Sequence, residues 1–183
     1  MKLLLAIGLG LALVACKQAE PAPTASSSSP APRTGLLAVG DPAPDVAATA
    51  HNGQTVRLRD FGGKPVVVYF YPKDDTPGCT VEAQGLRDEW GALSAAGAVV
   101  IGVSTDDNES HKAFAEKHAL PFLLWPDEKG SIAAAFGVPV SMGHAKRVTF
   151  VIGKDGKISK VFPEVKPKEH AQEVLAAIRA TAS

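Results

Sequence analysis

The chain has 183 residues, and its 19 Lys+Arg balance its 19 Asp+Glu, so it carries no formal net charge. That balance argues against an electrostatic nucleic-acid binder, which carries a basic excess, and no run of Lys or Arg reads as a polybasic membrane patch. The 45% apolar content fits a globular chain with one domain of ordinary size.

Residues 1–15 read as a secretion signal. Lys2 precedes an apolar stretch from Leu3 to Ala15 that is too short for a comfortable transmembrane helix. Leu13-Val14-Ala15-Cys16 resembles the lipobox of bacterial lipoproteins. The resemblance implies export, cleavage before Cys16, lipidation of its thiol and new amino terminus, and anchoring to a bacterial membrane facing the periplasm. The alternative is an ordinary signal cleaved after a small residue, with Cys16 incidental. Several acyl chains together anchor stably where one binds only marginally. Residues 16–35 then read as a tether. "KQAEPAPTASSSSPAPRTG" is rich in Pro, Ala and Ser and has no large apolar side chain, so it cannot bury enough surface to offset chain entropy. As a flexible coil, Lys17 to Gly40 would span roughly 25–30 Å.

The domain over 36–183 alternates strand and helix signals. Thr55–Arg59 alternates apolar and polar, as an outer strand does. Val66–Tyr71 and Ala98–Thr105 are mostly apolar and β-branched, the mark of strands buried on both faces. Thr80 to about Leu93 suits a helix with Leu86, Trp90 and Leu93 on one face. Ser110–His118 reads as a second helix with Ser110 as its N-cap. "LPFLLWPD" is a short apolar connection or strand, and Ser131–Phe136 a short helix closed by Gly137. Arg147–Ile152 and Lys157–Phe162 flank Asp155-Gly156, a hairpin-turn signal. Pro167–Thr181 is the last helix, with Ala171, Val174, Leu175 and Ile178 at core-facing spacing. This order predicts a thioredoxin-like α/β fold, a mixed central sheet covered by helices.

The chain has two cysteines, Cys16 and Cys79. In "TPGC", Thr76 reads as an N-cap, Pro77 as the first helical residue and Cys79 as the third. A capping box places Glu or Gln at that third position; here it holds sulfur. Free helix N–H groups and the positive end of the helix dipole favour thiolate there, and thiolate is the nucleophile. The bland reading is a small buried hydrophobe. The Thr76 hydroxyl is placed to bond either the sulfur or a bound oxygen, Gly78 keeps the backbone clear, and Pro72 ends the strand and can wall the site. Thiol–disulfide exchange normally uses Cys-x-x-Cys, and residue 76 is threonine. A lone thiolate suits attack on a peroxide oxygen, giving sulfenic acid, and needs a positive charge near the departing oxygen. Arg147 is the candidate; it could equally be a solvated strand terminus. The five histidines, His51, His111, His118, His144 and His170, show no metal-ligand spacing. Most read as surface or loop side chains, although His144 could line the site mouth. Asp74 and Asp75 read as solvating or capping the loop.

"YPKDDTPGCTVEAQGLRDEW" resembles the active-site region of peroxiredoxins of the bacterioferritin-comigratory, or PrxQ, group, whose Pro-x-x-x-Thr-x-x-Cys pattern matches Pro72, Thr76 and Cys79. "RVTFVIGKDGKISKVF" resembles the family's later strand pair, with Arg147 at its catalytic arginine. The likeness runs from Leu36 to Ile178. It implies a thiol peroxidase that reduces hydrogen peroxide and alkyl or lipid hydroperoxides without metal or bound cofactor, and serves antioxidant defence at the cell envelope. It implies that Cys79 is the peroxidatic cysteine, that Thr76 and Arg147 bind and polarise the peroxide, and that Pro72 shields the site. Glu82 lies at the position of a family glutamate near the arginine, which leaves two readings open, a residue that orients Arg147 or an exposed helix-surface acid. Many relatives carry a resolving cysteine five residues after the peroxidatic one, where this chain has Gln84, and no cysteine follows Cys79. The resemblance therefore implies a one-cysteine type, restored by an external thiol that is either a thioredoxin-like protein or a small molecule; the chain is expected to act as a monomer.

Overall fold

The computed structural model describes residues 35–181; the expected leader, Cys16 and the tether up to residue 34 lie outside the described residues. A hairpin of β1 (Ala47–Thr49) and β2 (Thr55–Arg57) comes first, followed by a 3-10 turn over Leu58–Phe61. The chain continues through β3 (Val66–Phe70), α1 (Pro77–Asp88), α2 (Trp90–Ala95), β4 (Val99–Ser104), α3 (Asn108–Lys117) and β5 (Leu123–Pro126). It ends with α4 (Ser131–Phe136), the short strands β6 (Val140–Ser141) and β7 (His144–Ala145), β8 (Val148–Ile152), β9 (Ile158–Phe162) and α5 (His170–Ala180).

The central sheet has five strands in the order β5-β4-β3-β8-β9. The first three are parallel, and β8 and β9 are antiparallel additions, so the sheet is mixed as expected. β3 is buried throughout because it lies at the centre with helices on both faces. Its side chains alternate between two cores. Val66, Val68 and Phe70 face Ile101, Phe136 and Phe150. Val67, Tyr69 and Tyr71 face Cys79, Leu86, Phe114 and Ile178. The first core is closed by α4 and the β1–β2 end of the chain, the second by α1, α2, α3 and α5.

Several elements differ from expectation for local reasons. The predicted strand Thr55–Arg59 turns after Arg57, because Leu58 enters the core and the Asp60 carboxylate accepts the Arg57 N–H at 2.9 Å. The helix predicted from Thr80 starts at Pro77 and breaks at Glu89, so that α2 can bury Leu93 and set Trp90 against Phe122. Asp107, not Ser110, caps α3: its carboxylate accepts the Ser110 N–H at 2.8 Å, while the Ser110 hydroxyl is drawn to Asp74. The final helix begins at His170, three residues after Pro167. The Asp155-Gly156 turn closes with the Gly156 N–H on the Gly153 carbonyl and Gly156 at φ 77°. β1, β6 and β7 were not anticipated; at two or three residues they are too short to carry a periodicity.

The topology decides what meets at the sheet end. Parallel β3 and β4 finish level, with Phe70 opposite Val103, and the loop to α1 leaves from that end. β8 runs the other way, and its first residue Val148 pairs with Phe70. Arg147, just before β8, is therefore delivered to the edge from which the Cys79 loop rises.

Candidate active site

The loop after β3 is pinned from below by a buried carboxylate. Asp74 accepts from the Tyr71 hydroxyl (2.7 Å), the Ser110 hydroxyl (2.8 Å) and His111 Nδ1 (2.9 Å). Its own N–H donates to Asp106 (2.9 Å). Asp74 thus anchors the loop to α3, a buried tie across two segments where the sequence suggests an acid that solvates or caps the loop; a buried carboxylate persists only with such partners. Asp75 follows in the left-handed region at φ 55° and is exposed, held by Lys117 (3.0 Å) and His118 (2.9 Å). Hydrogen bonds from His118 and Lys117 hold its carboxyl below the usual carboxylate range.

Thr76 is the N-cap of α1, Pro77 its first residue and Cys79 its third, as the motif predicts. The Thr76 hydroxyl makes no capping bond and donates instead to the Lys73 carbonyl at 3.0 Å. Its proton is thereby committed, and its oxygen remains an acceptor. Pro72 stands at the loop's start, where its carbonyl accepts from His144 Nδ1 at 3.1 Å. His144, on the β7 strand, therefore does border the site.

Cys79 is 1% exposed, packed between Tyr69, Ala83 and the α5 side of the core. Arg147 Nη2 donates to its sulfur at 3.1 Å, and Nη1 donates to Glu82 Oε2. One planar guanidinium thus bridges thiol and carboxylate, which a point-charge ammonium cannot do. A methyl group on Gly78 would lie 3.4 Å from Arg147 Nη2, so glycine leaves the arm its place. The reading of Arg147 as a solvated strand end is set aside, and so is that of Glu82 as a surface acid: Glu82 is 1% exposed. Burial raises its carboxyl to about 7, and the Arg147 charge and hydrogen bond hold it from rising further. Glu82 falls on the stripe that buries Cys79, Ala83 and Leu86, so helical spacing could have revealed its burial.

His111 and His170 are fully buried, not on the surface. His170 Nε2 lies 2.8 Å from the Thr149 hydroxyl and 3.9 Å from Glu82 Oε1. Both histidines sit on the buried stripe of their helix, one with Phe114 and Ala115, the other with Val174 and Ile178, and that spacing was the available signal. Gln84 points to α3, its side-chain amide donating to His118 Nδ1 at 3.2 Å. An open groove of about 530 Å³, lined by Pro77, Gly78, Val81, Val165 and Pro167, lies against this end of α1. Among the described residues no group of three His, Cys, Asp or Glu side chains is arranged to hold a metal ion.

Residues 39–161 match the AhpC/TSA family. The chain is 43% identical over 150 residues to peroxiredoxin Bcp of Bacillus subtilis, covering 78% of this chain and 96% of that one. It is 40% identical over 162 residues to chloroplastic peroxiredoxin Q of Triticum aestivum, covering 87% and 75%. The chain belongs to the AhpC/TSA family, among its Bcp/PrxQ peroxiredoxins. Solved structures agree. Peroxidoxin BcpB from Mycobacterium tuberculosis superposes with a TM-score of 0.73 at 36% identity, over 78% of this chain and 96% of that chain. The Xanthomonas campestris bacterioferritin comigratory protein, studied for alkyl peroxide reduction, gives 0.74 at 32% identity, over 80% and 100%. The peroxiredoxin is a peroxidase, an oxidoreductase, on a thioredoxin-like fold.

Two expected results arise from this geometry. In an intact helix, residues five apart are roughly 8–9 Å apart at Cα, beyond the reach of a disulfide. Gln84→Cys is expected to give an internal disulfide with Cys79 only after the start of α1 unwinds and the His118 bond is lost. Non-reducing gels after peroxide treatment should show a mobility shift, and an unshifted band counts against that opening. The second concerns Glu82. In the unfolded chain its carboxyl loses its proton near pH 4.5, whereas in the fold it keeps it to about 7. The folded peroxiredoxin binds more protons across that window, so the contribution of Glu82 to stability falls as pH rises through it, by about 3 kcal/mol in all. Denaturant midpoints of the parent should therefore decline relative to Glu82→Gln between pH 5 and pH 8; parallel curves would refute the assignment.

Proposed function

We propose that Cys79 is the peroxidatic nucleophile of a one-cysteine thiol peroxidase. The observation that carries this reading is the single guanidinium of Arg147 reaching both the Cys79 sulfur and the buried Glu82. The thiolate attacks the terminal oxygen of the hydroperoxide; an S–O bond forms as the O–O bond breaks, giving Cys79 sulfenic acid and an alkoxide or hydroxide that takes up a proton. Arg147 faces the oxygen on which charge develops, the kind of preorganised donor that contributes most to such a step. Glu82 fixes the arginine. The Thr76 oxygen, with its own proton given to Lys73, accepts the peroxide O–H. Pro72 shields the sulfur from bulk water. The substrates are hydrogen peroxide and alkyl or lipid hydroperoxides, whose apolar part suits the groove beside Gly78 and Val81.

The second half of the cycle comes from outside. With Gln84 where many relatives carry the resolving cysteine and no cysteine after Cys79, the sulfenic acid is attacked by an external thiol. Water leaves, a mixed disulfide forms, and a second thiol releases Cys79. The donor is a thioredoxin-like protein or a small thiol, and the protein acts as a monomer. Steady peroxide consumption over many turnovers by the full chain, with a panel of thiol donors, is the expected result. A single stoichiometric burst with every donor would instead indicate a redox sensor.

The proposed setting is the cell envelope. Signal residues 1–15 are removed, Cys16 is lipidated, residues 16–35 act as a tether, and the catalytic domain over 36–183 faces the periplasm in antioxidant defence. Cys16→Ser is expected to move the protein from the membrane fraction to the soluble one; unchanged fractionation would refute lipidation.

A further inference from the structure

Behind Arg147, the Glu82 that fixes it faces His170, a group that the reaction as described does not use. Glu82 Oε2 is taken by Arg147, but Glu82 Oε1 is buried and has no hydrogen-bond partner. A buried carboxylate oxygen without a donor is strongly disfavoured, and a proton on it removes the difficulty. His170 Nε2 lies 3.9 Å from this oxygen, and both side chains are 0% exposed.

The surroundings decide the state of the imidazole. His170 is the first residue of α5, where free N–H groups oppose positive charge. Its Nδ1 lies 3.4 Å from the half-exposed carboxylate of Glu173, which can only accept, so Nδ1 carries the hydrogen. In the neutral ring Nε2 carries no hydrogen, and its one lone pair accepts from the Thr149 hydroxyl at 2.8 Å, while Glu82 Oε1 lies 3.9 Å away. At 3.9 Å the two groups are too far apart for a hydrogen bond but close enough, in a buried setting, for the charge of one to bias the protonation of the other. The other groups facing the pair are the Arg147 guanidinium beside β8, Cys79 on α1, the Tyr69 hydroxyl on β3 and the ring of Phe162 on β9. Burial and the Arg147 charge lower the proton affinity of the imidazole, while Glu173 raises it; burial raises that of Glu82.

We propose that Glu82 and His170 titrate as one electrostatically coupled pair that holds one exchangeable proton, and that His170 is a positioning residue which, by setting the charge of Glu82, sets how firmly Arg147 is held against Cys79. Glu173, on the α5 surface, is the route by which that proton equilibrates with solvent. With the proton on Oε1, Glu82 is neutral and its grip on the guanidinium loosens. With the proton released, the carboxylate holds Arg147 as a full ion pair. The inference rests on Cys79 being the peroxide-reducing thiol, as proposed above, and adds a control over its arginine.

The test is an NMR titration of the full chain that follows the Glu82 side-chain carboxyl carbon and the His170 ring nitrogens, beside the pH profile of peroxide reduction. In the parent the two groups should titrate with one common midpoint, and the rate should show an inflection at the same pH. In His170→Gln the Glu82 midpoint should move by at least about one pH unit, about tenfold in proton affinity, and the inflection should move with it. A Glu82 midpoint unchanged in His170→Gln, or an unmoved rate profile, overturns the proposal. Should that variant fold poorly, Thr149→Val removes the hydroxyl that occupies Nε2 and should shift the common midpoint; no shift overturns the proposal equally. In Cys79→Ser the common titration should persist, since neither group reacts, and its loss there would also overturn the pairing. Peroxide turnover surviving in Cys79→Ser would instead overturn the assignment of the nucleophile.

Discussion

Cys79→Ser is expected to reduce peroxide turnover to the rate of donor and peroxide alone, a loss of about four orders of magnitude or more. The substitution isolates the chemistry. Serine keeps a hydrogen-bond acceptor within reach of Arg147 Nη2, so the bridge from Glu82 to residue 79 survives. The site is 1% exposed, and exchanging sulfur for oxygen removes only a little volume from the core shared with Tyr69 and Ala83. What disappears is the proposed nucleophile, because a serine hydroxyl is not ionised near neutral pH and the group that hydrogen-bonds residue 79, Arg147, is a donor and not a base. Peroxide consumption measured with the donor in excess, beside a thermal unfolding curve, separates the two effects. Retained turnover with an intact fold would mean that the reacting group lies elsewhere.

Arg147→Ala is expected to lower the second-order rate constant for peroxide reduction by about a hundredfold to a thousandfold, the usual consequence of removing a preorganised donor from a developing oxyanion. Arg147→Lys should recover only part of that loss. Lysine restores the charge, but not the planar fork that donates to Glu82 and Cys79 at once. The alanine variant should still fold. Arg147 is what restrains the proton affinity of Glu82, so without it the buried carboxyl stays protonated and no bare charge is stranded. Competition kinetics against a reporter peroxidase would measure both variants. A lysine variant as fast as the parent would show that the field alone, without the two-point geometry, suffices.

The candidate site was legible to different depths. Cys79, Thr76 and Pro77 were readable because a helix N-terminus is a local event: a cap, a proline and the third residue are fixed by adjacent positions. The strands β3, β4 and β8 were readable to within a residue or two, since unbroken β-branched and aromatic runs have few other uses. Glu82, His111 and His170 were misjudged or left open. Polarity argued for the surface, while their helical spacing argued for the interior, and only partners elsewhere in the chain make burial tolerable. The Asp74 anchor drew on Tyr71, Ser110, His111 and Asp106, which the sequence spreads over two segments.

The amino-acid sequence alone determined the family pattern around Cys79, the lone cysteine of the domain, the place of Gln84 and the alternation of strands and helices, because each depends on neighbours along the chain. The tertiary structure alone decided that Arg147 touches the sulfur. The two lie 68 residues apart, and they meet because antiparallel pairing of Phe70 with Val148 brings the start of β8 to the end of β3. It also decided that Glu82 and His170 face each other in the buried interior. The charge of such a pair is set by what surrounds it in three dimensions, and no spacing along the chain specifies that.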